Sequence, residues 1–89
     1  LAALRVGEDP ASQLYVRLKG NQAREVGYHF EEHVFPSWTT PETLKNKIQE
    51  LNQAPHIHGI IVQLPLPPHL DKFEFLASID PFKDVDGLH

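Results

Sequence analysis

The sequence predicts an α/β fold: a three-layer parallel sheet with flanking helices, in the order β-α-β-α-β-α. Three observations predict it. Two caps followed by proline, Asp9-Pro10 and Thr40-Pro41, each open a stretch of helical periodicity. Short apolar runs stand before and after each of these stretches. The last run, Gly59-Ile60-Ile61-Val62, is continuously apolar, as a strand covered on both faces must be. Parallel neighbours require crossover connections, and helices on both faces of the sheet supply them.

The elements follow in chain order. Ala2 to Val6 is mostly apolar, carries one charge at Arg5 and is closed by Gly7, a short strand. Asp9 then caps a helix with Pro10 at its first position. Ala11, Leu14, Tyr15, Leu18, Gln22 and Val26 recur at helical spacing, with Ala23 beside them, as in an amphipathic helix. Gly27 ends it in the left-handed region. Gly20 inside it costs up to about 1 kcal/mol relative to alanine, so a close neighbour is expected there. Tyr28 to Phe35 is a second, weaker strand, stopped by Pro36. Thr40-Pro41-Glu42 opens a second helix with Leu44, Ile48 and Leu51 on one face, ending near Asn52. The third strand ends by Leu64, because Pro65, Pro67 and Pro68 have no N–H to donate. Asp71 caps a short helix carrying Phe73, Leu76 and Ala77. Asp80-Pro81 breaks that helix, and Lys83 to Gly87 is loop.

Composition narrows the function. Eighty-nine residues make one small domain at most, and Leu1-Ala2-Ala3-Leu4 reads as the middle of a strand, as in an excerpt from a longer chain. Eight Lys and Arg against twelve Asp and Glu give a net charge of −4, so no basic face is set out for nucleic acid or an anionic membrane. No apolar run reaches the roughly 18 residues of a membrane helix. The absence of Cys excludes disulfides and thiolate metal sites and fits a reducing compartment. Among the six histidines, His29 and His33 fall on one face of a strand about 13 Å apart, and His56 and His58 flank a strand entry, so no metal site is expected. Gly7 stands alone before its helix, without the glycine-rich pattern of a dinucleotide site.

Open parallel sheets bind ligands outside the carboxyl ends of their strands. Gln63 stands at that end of the most buried strand, either satisfied by local backbone or aimed at a ligand. Tyr15 and Lys19 are four apart and share a helix face, and helical side chains lean toward the helix start, so Lys19 can reach the same mouth. On spacing alone, a core tyrosine and a surface lysine are the commoner outcome. Asp84 and Asp86 alternate in a loop before Gly87, as acceptors for a ligand's amino groups or as members of a solvated turn.

In combination these segments are more specific. Val6-Gly7-Glu8-Asp9-Pro10-Ala11-Ser12, Tyr15-Val16 followed by Lys19, Gly59 followed by Val62-Gln63-Leu64-Pro65-Leu66-Pro67, and Pro81 followed by Lys83-Asp84-Val85-Asp86-Gly87 occur in this order. Together they resemble the bifunctional methylenetetrahydrofolate dehydrogenase/methenyltetrahydrofolate cyclohydrolase family over nearly the whole chain, up to His89. The resemblance implies that residues 1–89 are a partial folate-binding catalytic domain, without the Rossmann domain that holds NADP in the family. It implies Tyr15, Lys19 and Gln63 as the catalytic set, and Tyr15, Val16, Lys19, Val62, Gln63, Leu64 and Asp86 as substrate-binding residues. By the same resemblance Tyr15 lies against the pterin and p-aminobenzoyl part of the folate, Gln63 positions the amine of Lys19, and Asp86 accepts from the pterin ring. Asp84 is implied as a structural partner in the loop. NADP as cofactor, tetrahydrofolate derivatives as ligands, a homodimer and a cytoplasmic location are implied too, with no nucleic acid or membrane partner.

The implied chemistry is NADP-linked oxidation of 5,10-methylenetetrahydrofolate, then hydrolysis of the methenyl product to 10-formyltetrahydrofolate. A single activity of the same family, or a binding domain without chemistry, are the alternatives. The chain departs from the family at Asn21, where a second lysine is frequent, and at Gly20.

Overall fold

A computed structural model describes residues 1–87; Leu88 and His89, to which the resemblance extends, lie outside the described residues. The elements are β1 (Ala2–Val6), α1 (Pro10–Glu25), β2 (Glu31–Phe35), α2 (Pro41–Gln53), β3 (Ile60–Val62), α3 (Lys72–Ser78) and a 3₁₀ turn (Pro81–Lys83). The sheet has the order β2-β1-β3 and both pairings are parallel, with Ala2 opposite Glu31 on one side and Ile60 on the other.

Side chains alternate along a strand, so central β1 feeds two cores. Ala2, Leu4 and Val6 pack with Leu44, Ile48 and Leu51 of α2 and with Phe75 and Leu76 of α3. Ala3 packs on the opposite face with Ile61 of β3 and Val16 of α1. That arrangement gives the three layers expected, with α1 on one face and α2 and α3 on the other. β1 leads into α1 while β3 leads toward α3, so their carboxyl ends diverge to opposite faces, and a crevice opens between them.

Each helix starts as its sequence dictates. Asp9 accepts from the Ser12 N–H, Thr40 from the Thr43 N–H and Asp71 from the Phe73 N–H, with proline opening α1 and α2. At the end of α1, Gly27 takes φ of +82°. Its N–H donates to Arg24 O while the Tyr28 N–H donates to Ala23 O, a left-handed cap that satisfies two terminal carbonyls.

Three expectations change. The second strand starts at Glu31 rather than Tyr28, because Tyr28 spends its N–H on closing α1. The buried face of α1 is Ser12, Val16, Gly20 and Ala23, whereas Leu14, Tyr15 and Leu18 of the apolar stripe are about half exposed. Small residues win that face because the helix lies so close to its neighbours. A Cβ on Gly20 would stand 2.7 Å from the Phe30 ring, which is the close neighbour the glycine signalled. On α3 it is Phe75, not Phe73, that fills the core, since Phe75 shares a face with Leu76 and Ile79 against α2.

Candidate active site

The site begins with one carbonyl. Leu64, just past β3, offers its backbone oxygen to Ser12 Oγ at 3.2 Å and to Gln63 Nε2 at 3.1 Å. The first of these bonds joins the start of α1 to the end of β3, across the crevice. The second fixes the direction of the Gln63 amide. With its NH₂ committed, the amide presents Oε1 to α1, and Lys19 Nζ donates to it at 2.9 Å. Gln63 is buried and its polar atoms are partnered, so the desolvation penalty of an unpaired amide is avoided. Alternation places Gln63 on the Ile61 face of β3, the face on which α1 lies, which is why the lysine and the amide meet.

Asp86 reaches the same place by a different route. Lys83 Nζ donates to the carbonyls of Leu51, Asn52 and Ala54 at 3.0, 2.7 and 3.0 Å. A cation on three terminal carbonyls closes α2 and complements its dipole. Asn52 adds a second tie, donating to Ser78 O at 2.8 Å and accepting from the Asp80 N–H at 2.9 Å. The chain leaving Lys83 then pairs Asp84 with Ile60 in parallel, and Asp84 Oδ1 accepts from the Gly87 N–H at 3.2 Å. Gly59 leaves room for Val85, whose Cγ2 would stand 2.5 Å from a Cβ there. Val85 and Asp86 thereby form one wall of an open groove of about 400 Å³, whose other walls include Lys19, Ala23, Val26 and Ile61.

The structure therefore brings Lys19 and Asp86 to one groove, with Gln63 buried behind it and joined to it through Lys19. Tyr15 stands one turn before Lys19, half exposed, and does not line that groove. Val16 and Val62, expected as substrate-binding residues, are 1% and 2% exposed and packed in opposite cores, so their side chains stand behind the groove. Leu64 contributes its oxygen. Ser12 was not singled out from the sequence as a site residue, yet it is buried and holds that oxygen. Its signal was there, a polar residue sharing the buried face of α1 with Val16 and Gly20 at intervals of four.

The arrangement is poorly suited to a nucleotide phosphate. Each described α-helix N-terminus is already occupied by its own capping side chain, a carboxylate in α1 and α3. The described residues thus do not fit a dinucleotide pyrophosphate. A primary amine held by a neutral amide beside an exposed carboxylate can instead move a proton and accept hydrogen bonds from a ligand's amino groups.

Comparison with known proteins gives the family. The bifunctional protein FolD of Rhodospirillum centenum is 58% identical over 89 residues, all of this chain and 29% of that protein. Among solved structures, the FolD methylenetetrahydrofolate dehydrogenase/cyclohydrolase of Campylobacter jejuni superposes with a TM-score of 0.96 at 42% identity, over 99% of this chain and 31% of that one. The methylenetetrahydrofolate dehydrogenase-cyclohydrolase of Trypanosoma brucei, complexed with NADP cofactor and inhibitor, gives 0.92 at 40% identity, over 96% of this chain and 29% of that one. The chain thus spans less than a third of the length of these relatives. Residues 1–86 match the family described as tetrahydrofolate dehydrogenase/cyclohydrolase, catalytic domain, and to that family this chain belongs.

Proposed function

We propose that residues 1–89 are part of the folate-binding catalytic domain of an enzyme of one-carbon metabolism. The whole protein oxidises 5,10-methylenetetrahydrofolate with NADP and hydrolyses the resulting methenyl compound to 10-formyltetrahydrofolate. The observation that carries this reading is the 2.9 Å contact of Lys19 Nζ with Gln63 Oε1, on a groove shared with Asp86.

In the hydrolytic step, water attacks the amidinium carbon of methenyltetrahydrofolate and loses a proton, giving a tetrahedral carbinolamine. Collapse of that intermediate breaks one carbon–nitrogen bond and returns a proton to the departing nitrogen. Lys19 is the group that carries the proton. Gln63 aims the amine without adding charge. Asp86 accepts from the pterin, and Tyr15 lies along the pterin and p-aminobenzoyl plane. When bound, NADP supplies hydride acceptance for the oxidation, and the T. brucei relative complexed with NADP supports its use. Residues outside this chain hold it, and the residues here position the folate.

Replacing Lys19 by Met in the full-length protein tests the assignment. Cyclohydrolase turnover falls by at least about 10²-fold while dehydrogenase activity remains measurable. Undiminished hydrolysis in that variant would remove the lysine from the mechanism. A homodimer built mainly outside these residues and a cytoplasmic location complete the proposal, with no nucleic acid or membrane partner.

A further inference from the structure

The amino ends of the strands, opposite the end that carries Gln63, hold a second group of side chains. Glu31 opens β2. Its Oε2 lies 2.8 Å from His29 Nε2 and 3.3 Å from His56 Nε2, while its Oε1 lies 2.9 Å from His33 Nε2. The rings of His29 and His56 meet edge to face, with centroids 5.9 Å apart. One donor atom from each of His29, Glu31 and His56 lies within 4.8 Å of the others. Spacing along the sequence hid this set, because His56 arrives from the turn before β3, 25 residues from Glu31.

We infer that His29, Glu31 and His56 bind a divalent transition-metal ion of the zinc class. Zinc–ligand bonds of about 2.0–2.1 Å place tetrahedral ligands about 3.3–3.5 Å apart, a spacing these three donors reach with small side-chain adjustments. Two imidazoles and one carboxylate suit zinc, cobalt, nickel or copper, whereas magnesium and calcium take shells of oxygen. His33 holds the other carboxylate oxygen and so turns Oε2 toward the two rings, an orienting partner of the kind that ligating carboxylates have.

The backbone anchors are in place as well. The Glu31 N–H donates to Leu1 O, Leu1 N donates to His29 O, and the Ile57 N–H donates to Ala54 O beside His56. The rings of His29 and His56 are 59% and 64% exposed, so the ion has a path in and water completes its shell. No proton need leave the protein, since a neutral imidazole frees Nε2 by carrying its hydrogen on Nδ1. The bound ion ties the entry of β2 to the entry of β3 across β1. It sits beside a hollow lined by Tyr28, His56, Gly59 and Val85, and Val85 is the neighbour of Asp86. Its role is therefore to hold a wall of the folate groove, not to touch substrate.

The full-length protein, stripped with chelator, is titrated with zinc chloride by calorimetry and with cobalt(II) chloride by visible absorption. Wild type takes up a saturable equivalent with the intense bands of tetrahedral cobalt, and zinc raises its thermal midpoint. His29→Asn and His56→Asn each lose that equivalent and the midpoint shift. His33→Asn weakens binding about tenfold, and His69→Asn, outside the group, binds as wild type does. No saturable uptake by wild type, or undiminished affinity in both His29→Asn and His56→Asn, overturns the inference. The wild-type titration decides it alone should a variant fail to fold.

Discussion

Ser12 and Gln63 share a single acceptor, the Leu64 oxygen, so the direction of the Gln63 amide depends on a hydroxyl that makes no bond to Lys19. Ser12→Ala is expected to cost about 0.5–1.5 kcal/mol of stability, the net worth of one such bond. In kinetics it lowers cyclohydrolase kcat more than it changes folate KM, because it loosens aim and not binding. Asp86→Ala does the reverse, raising folate KM about tenfold for the loss of a bond to a charged acceptor, while Asp84→Ala alters it far less. Steady-state assays of the three variants separate aim from binding. The meeting of Lys19 with Gln63 was expected from the family resemblance, since spacing alone favoured a surface lysine. Ser12 was not, since a serine after a capping aspartate reads as ordinary helix-start chemistry.

At the scale of elements, α1 shows where pattern misleads. Its large apolar residues look like the core face, yet the buried face is the small one, because Gly20 rests on Phe30 and leaves no volume for a leucine. Gly20→Ala forces that ring to move and is expected to destabilise by about 1–3 kcal/mol despite alanine's better helix propensity. Denaturant unfolding measures this, and Phe30→Leu beside it restores part of the loss. Lys83→Met removes the cation from three carbonyls of α2 and costs about 1.5–3 kcal/mol. It also raises folate KM, since the same lysine sets the path toward Asp86.

The edge strand β2 carries the pH dependence. Hydrogen bonds from His29 first, then His33, lower the Glu31 carboxyl from 4.5 to about 2. A depressed carboxyl contributes stability that is present above its unfolded value and lost as pH falls. Metal-free protein should therefore weaken between about pH 4.5 and pH 2, and Glu31→Gln should flatten that part of the acid-unfolding curve.

For the molecule as a whole, the parallel sheet, its three layers and the helix starts were legible because caps, prolines and the Ile60-Ile61-Val62 run are local signals. The strand order β2-β1-β3 and the faces were less so, since they arise from packing between distant segments. The groove was legible only through motif resemblance. Nothing in the spacing alone says that Lys83 returns to α2 and carries Asp86 round to face α1. The His29, Glu31 and His56 group was hidden for the same reason, its third member coming from the turn before β3.

Ala2 and Ala3 are fully buried, one beneath each layer of helices, and Ala3 is the floor on which Val16 rests. A bulkier side chain at position 3 would lift the helix bearing Lys19, and a thicker core would reappear as a wider gap between amine and amide. Thermal adaptation of this protein is therefore expected on the opposite side of the sheet, where the middle of α2 and α3 can be repacked without lifting α1.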